Sequence, residues 1–201
     1  MSSETENESS GPNPTNSRKI ARVACFEVLY SVAVADSPLG EAIETVRARR
    51  PLLDDANQYF TRVTDGVMKY QGELDDIIGN RLASGWSIRR CAVTDLVALR
   101  IATYELFYMP GIPPKVSITQ AVNIAKMYGT AESSRFVNGV LGSILKDSPK
   151  VNWDPSQEEK RNDDFDTIFD EDREQEVEIV EGSTEHEEIL QAGSWVIRKE
   201  E

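Results

Sequence analysis

The chain has 201 residues, with 22 Lys and Arg against 35 Asp and Glu and a formal net charge of −13. That excess sits at the ends: residues 1–17 carry three Glu and no base, residues 153–201 carry 18 acids and five bases, and the span between carries 17 bases against 14 acids. A flexible acidic tail acts over only about 8 Å in physiological salt, so the negative net charge does not exclude a polyanionic partner for the central span.

Residues 1–16 are rich in Ser, Glu, Asn and Pro and hold too little apolar surface to offset the entropy of ordering, which predicts disorder. Asn16 or Ser17 then N-caps a first helix, carried to about Ala35 by Ile20, Val23, Ala24, Val28 and Leu29. Ser37-Pro38 starts a second, with Pro at the first helical position, and Glu41 to Arg50 continues as a short polar helix ended by Pro51. From Asp54 to about Ala83, Phe60, Val63, Val67, Tyr70, Leu74, Ile77 and Leu82 recur nearly always three or four apart. This predicts one long amphipathic helix, or two broken near Gly72, with Gly85 as the stop.

Val93, Leu96, Val97, Leu99, Ile101, Tyr104 and Phe107 predict a further helix that ends before Pro110-Gly111-Ile112-Pro113-Pro114. Ser117 and Gln120 form a capping-box pattern, so the next helix is expected from Ile118, with Gly129 as its C′ residue. The last helix starts near Ser133 and buries Phe136, Val137, Val140, Leu141, Ile144 and Leu145. Asn138-Gly139 reads as helix, because the flanking apolar period is three to four rather than two. No strand pattern appears between 17 and 148, so the fold class is all-α. A helical domain over 17–148 is expected between the N-terminal tail and an acidic, largely disordered segment from 149 to 201. That segment reads either as a solvated tail or as an acidic competitor for a basic face.

Cys25 and Cys91 lie in apolar segments without metal-type spacing and read as core thiols of a reducing compartment. No apolar run reaches the roughly 18 residues a membrane span needs, and no signal-peptide stretch opens the chain, so a cytoplasmic location is expected. The single His, His186, lies in the acidic tail, which removes Ser/His and Cys/His catalysis from the helical domain. Phosphate-cradling Gly-rich loops and zinc patterns are also missing from the sequence, so no enzyme, cofactor or metal site is expected.

Binding chemistry is better represented. At about 100° per residue from Lys19, Arg22 falls near −60°, Phe26 near −20° and Tyr30 near +20°, one helix face, with Arg18 close by. Bases beside aromatics pair with phosphates and stack on unpaired bases, as single-stranded RNA binding requires; the alternative is that the rings are core and the bases a solvated edge. A second candidate surface joins Lys126 and Tyr128, at the end of one helix, to Arg135 and Phe136, at the start of the next. Arg100, among apolar neighbours, reads as a partly buried cation held by a carboxylate or carbonyl. Asp95 lies about 140° away from it round the same helix and is left to face a partner.

These motifs resemble the NusB family of bacterial transcription antitermination factors over about residues 17–147. The likeness rests on Arg22-x-Ala24-Cys25-x-x-x-Leu29-Tyr30, Tyr59-Phe60, Gly66-Val67, Leu74-Asp75, Trp86 with Arg89, and Asp95. It continues through Leu99-Arg100-x-Ala102-x-Tyr104-Glu105-Leu106, Ala125-Lys126-x-Tyr128-Gly129 and Phe136-Val137-Asn138-Gly139-Val140-Leu141. The resemblance implies two packed helical bundles, about 17–85 and 86–148. It also implies pairing with NusE, a small-subunit ribosomal protein, binding of the pair to boxA RNA, and support of RNA polymerase against termination in ribosomal RNA operons. On this chain the RNA role carries over onto Arg18, Lys19, Arg22, Tyr128 and Phe136, joined by Lys126 and Arg135 from the charge pattern. Tyr30 and Asp95 match the NusE-facing side, with Phe26 beside Tyr30. Three positions depart from the family pattern: Ile20 where a third base is common, Leu96 where Arg or Lys often follows the acid, and Gln120 where Glu is usual. Two other readings share the fold: an RNA-guiding domain acting with a separate ribosomal RNA methyltransferase, and a protein-only interaction module regulated by its acidic tail.

Overall fold

The computed structural model describes residues 13–154 and 156, and expectations for residues 1–12, 155 and 157–201 lie outside it. Helix α1 (Arg18–Ala35) begins at Ser17, whose Oγ accepts the Ile20 amide at 3.4 Å. Asn16 serves another helix, because its Oδ1 accepts the Ala56 amide at 2.9 Å and so caps from outside the start of α3 (Asp54–Lys69). The preceding Thr15 forms a bridge with Leu52, so order reaches further back than the composition of residues 1–16 predicts. Two backbone hydrogen bonds hold this short segment in place, which an average over composition does not register.

Helix α2 (Leu39–Arg49) starts one residue after the expected Pro, which is its N-cap. The long apolar run is two helices, α3 and α4 (Gln71–Gly79), and the break falls at Tyr70 rather than Gly72. Tyr70 leaves the helical path at φ −102° and ψ 14°, with its ring stacked on Tyr108 at 4.6 Å, so an aromatic contact fixes the bend. Gly85 lies well beyond the helix end, in the loop before a single 3₁₀ turn at Ile88–Arg90.

Helix α5 (Val93–Tyr108) is buried on nearly every side and forms the axis of the fold, as expected of a helix that is apolar all round. Its Val97, Ala98, Ile101 and Tyr104 pack with α1, α2 and α3 around Phe60 and Leu74. Its Leu96, Leu99, Ala102 and Leu106 pack with α4, α6 (Pro114–Tyr128) and α7 (Ser133–Leu145) around Val137, Leu141 and Ile144. Residues on both sides of the expected boundary near Gly85 therefore enter each apolar cluster. Gly66 lets α3 and α5 approach closely, since a Cβ there would lie 2.1 Å from Tyr104 Cζ. Asn138 and Gly139 lie within α7, as their flanking period indicates.

The capping-box expectation fails. Helix α6 starts at Pro114, whose fixed φ suits the first helical position, and Ser117 is buried within the helix. Arg100 is held by Asp75 through two bonds of 2.7 Å, the carboxylate pairing its sequence context suggests.

Arg22 and Phe26, both expected on a binding face, are instead core residues, 4 % and 2 % exposed. Arg22 Nε bonds Glu105 Oε1 at 2.6 Å, and the Tyr59 hydroxyl donates to the same oxygen. The guanidinium also lies 5.0 Å from the Tyr59 ring centroid. Burial works against the Arg22 charge, but the Glu105 carboxylate outweighs it and holds the guanidinium pKa above its ordinary value.

The C-terminal boundary also moves. Lys150 is buried, and its Nζ donates to the carbonyls of Met109 at 2.6 Å and Ile112 at 2.5 Å, while Trp153 Nε1 donates to Pro110 O at 3.2 Å. The charged segment expected to be tail from 149 thus begins as part of the fold, because its buried ammonium is satisfied by carbonyls of the turn between α5 and α6.

The thiols differ in the same way. Burial pushes Cys25 up to about 12, whereas Cys91 is half-buried and raised by burial with help from Asp95 and Asp75. A thiol-specific reagent at pH 8 is expected to label Cys91, faster as pH rises and thiolate forms, and to spare Cys25 until the protein unfolds. Peptide mass mapping checks this; equal labelling of both would mean that the core opens readily.

Candidate nucleic-acid interface

The outer surface of α1 is organised by a ladder of rings. Phe26 stacks with Tyr30 at 5.8 Å and packs at a tilt against Tyr128, at the end of α6, at 4.6 Å. Phe26 is its buried middle member, and it brings together two residues that the sequence assigned to different partners. The Tyr128 hydroxyl donates to Glu27 Oε1 at 3.2 Å, and Glu27 receives Arg50 through bonds of 2.8 and 3.1 Å. Burial and the Glu27 carboxylate raise the Tyr128 pKa, so the phenol stays neutral and keeps its proton for that bond. Lys19 lies half-buried near the start of this face, and Arg18 lies 5.9 Å from the Tyr59 ring centroid.

Beyond Tyr128 the chain turns sharply into α7. Gly129 is required there by space, not by a left-handed backbone: its φ is −98°, and an added Cβ would lie 2.4 Å from Ser133 Oγ and 2.6 Å from the Ala125 carbonyl. The same Ser133 Oγ accepts the Thr130 amide at 2.9 Å, which fixes the turn. Exposed Lys126 stands on one side of it and exposed Arg135 on the other.

Opposite Arg135 lies an edge that sequence patterns alone do not mark. Trp86, 50 % exposed, sits 6.1 Å from Phe136, and the Arg90 guanidinium lies 5.2 Å from the Trp86 ring centroid. Arg90 is held in that position by a 2.9 Å bond to the Gly85 carbonyl. With Arg135 these side chains border a groove of about 510 Å³. Asp95, expected to face a partner, is only 7 % exposed and lines this groove, so a partner reaches it only from within; Glu132 adds a second carboxylate. Two guanidiniums, two carboxylates, the exposed Trp86 ring and the half-buried Phe136 ring suit a ligand that has phosphates, flat faces and amino donors at once. The sequence signal for this edge was a lone Trp in a polar loop, but the resemblance paired it with Arg89, and the 3₁₀ turn puts Arg90 over the ring instead.

The sequence model of the NusB family matches residues 19–146. The chain belongs to the NusB family. It is 36 % identical over 135 residues to the transcription antitermination protein NusB of Syntrophus aciditrophicus (strain SB), an alignment covering 67 % of this chain and 83 % of that protein. NusB of T. maritima shares its fold with a TM-score of 0.59 and 34 % identity, over 68 % of this chain and 97 % of the other. A crystal structure of antitermination factors NusB and NusE in complex with dsRNA matches 65 % of this chain and 96 % of its own, with a TM-score of 0.59 and 30 % identity. The NusB-family region thus includes the ring ladder, the turn at Gly129 and the Trp86 groove. Among the described residues, no helix is long and apolar enough to cross a membrane.

Proposed function

We propose that this NusB-family protein is an RNA-binding transcription antitermination factor that acts as a pair with NusE. Its ligand is RNA of the boxA type, bound along the face that runs from the start of α1 to the Trp86 groove. The observation that carries the RNA assignment is the exposed ring of Trp86 beside the half-buried Phe136, flanked by Arg90 and Arg135. NusE pairing is supported by the related NusB–NusE–dsRNA complex, with Tyr30 as the residue that faces the partner, while Asp95 lies inside the groove assigned to RNA. Lys19, Lys126 and Arg135 supply phosphate contacts, with Arg18 beside them, and Tyr128, Phe136 and Trp86 supply ring surface. Arg22 supports α1 from inside.

The test is RNA binding by the full chain with NusE, using single-stranded boxA RNA and a duplex of the same sequence. Trp86→Ala is expected to weaken single-strand binding by about 5- to 150-fold, the range for losing one stacked base, and Lys19→Ala to weaken it with a shallower salt dependence. Helical content is expected to stay unchanged in both. NusE capture with no RNA binding by the pair would make the protein an interaction module only.

A further inference from the structure

We infer that the end of α2 carries an additional phosphate-binding surface, centred on Arg49, which prolongs the path of a bound RNA beyond the start of α1. This rests on the RNA-binding reading above and adds a contact region to it.

Residues 47–50 place three Arg among four positions at the C-terminal turn of α2, where the helix carbonyls favour cations. The three have different surroundings. Arg47 serves the fold: its guanidinium lies 5.5 Å from the Phe60 ring centroid and donates to Asn57 and Thr61. Arg50 holds Glu27, which holds Tyr128. Arg49 is exposed, and among the described residues it makes a long 3.4 Å contact to the Thr45 carbonyl of its own helix and no ion pair. Glu44, on the same helix, lies about 140° away around the axis.

The backbone puts this cation where the RNA face can continue. Thr15 N donates to Pro51 O at 3.1 Å and Leu53 N donates to Thr15 O at 2.9 Å, so the segment entering α1 runs beside the segment leaving α2. Arg18 and Lys19 follow that bridge on one strand of the crossing, and Arg49 and Arg50 precede it on the other. Arg50 then joins the edge to the Tyr128 ladder through Glu27. The bridge is parallel, so Arg49 lies on the side of it from which the chain enters α1, and Arg18 and Lys19 lie beyond it. A polyanion that leaves the start of α1 in that direction reaches the Arg49 guanidinium, which forms no ion pair among the described residues and is suited to bind phosphate oxygens.

The experiment measures binding of the NusE-paired full chain to a single-stranded boxA RNA with ten nucleotides of flanking sequence on each side, over a series of salt concentrations. Wild type, Arg49→Ala, Arg49→Glu and Lys19→Ala are compared, with helical content and NusE capture measured for each. Arg49→Ala is expected to reduce the salt slope by about 0.7, one single-strand phosphate contact, and Arg49→Glu to lower affinity about tenfold, with fold and NusE capture unchanged. If Lys19→Ala weakens binding and Arg49→Glu does not, the α2 surface is wrong while the RNA reading stands. If wild type binds no RNA, the RNA reading itself falls. Loss of NusE capture in Arg49→Glu would assign the arginine to the protein partner and overturn the inference.

Discussion

Replacing Glu105 by alanine is expected to cost about 3–5 kcal/mol of folding stability, read as a lower midpoint in equilibrium urea unfolding. Glu105 is fully buried, and one of its oxygens receives both Arg22 Nε and the Tyr59 hydroxyl. Without it the guanidinium remains charged in the core, because even a strongly lowered Arg pKa stays far above working pH, and the phenol loses its acceptor. Glu105→Gln keeps an acceptor but loses the opposing charge, so an intermediate loss is expected. The double change Arg22→Met with Glu105→Leu removes the ion pair and is expected to recover part of the stability, since apolar residues of similar volume replace a buried ion pair at little cost while the Tyr59 hydroxyl still lacks its acceptor. That double variant also tests the role of Arg22 directly. If it folds and still binds RNA, Arg22 supports the helix; if it folds and binding collapses, the arginine touches RNA after all. A loss below about 1 kcal/mol for Glu105→Ala would mean that the pair is solvated in solution.

Gly66→Ala is expected to destabilise the protein by about 2 kcal/mol or more, although alanine is the better helix former by about 1 kcal/mol. The added methyl would lie 2.1 Å from Tyr104 Cζ and 2.3 Å from its hydroxyl oxygen. The ring is hindered from moving aside because it stacks on Tyr108 at 5.1 Å and Tyr70 at 6.4 Å, so α3 and α5 must separate. Gly139→Ala and Gly142→Ala serve as controls: nothing lies within 4 Å of a Cβ at either position, and each change is expected to be neutral or to stabilise by up to about 1 kcal/mol. Thermal or urea midpoints for the three variants measure the contrast. Equal effects at all three sites would show that the contact relaxes without cost.

The helices were legible where local pattern decides them. Apolar spacing placed α1 and α7, and the charge and ring types near Tyr128 and Arg135 marked the candidate surface from sequence alone. Long-range pairing was not legible. The 100° projection rightly put Lys19, Arg22, Phe26 and Tyr30 on related sides of one helix, but it carried no sign for which side faces inward. That sign comes from Glu105, 83 residues away from Arg22. The Trp86 edge needed a contact between the loop before α5 and the start of α7, which no periodicity encodes. Ser117 misled for the opposite reason, since a plausible local cap was overruled by the stronger geometric constraint of Pro114. Thr15 and Trp153 lie in segments whose average composition is that of coil, yet each is held by individual hydrogen bonds.

The position of Lys150 bears on what counts as the module. The family signature stops at residue 146, but the ammonium four residues later plugs the join between α5 and α6, and the indole of Trp153 closes over the same join. In this protein the shared family architecture is finished by a keystone taken from the first residues of the acidic extension. A version trimmed to the shared signature lacks that closing piece, and its behaviour reports on an incomplete domain as well as on the loss of negative charge.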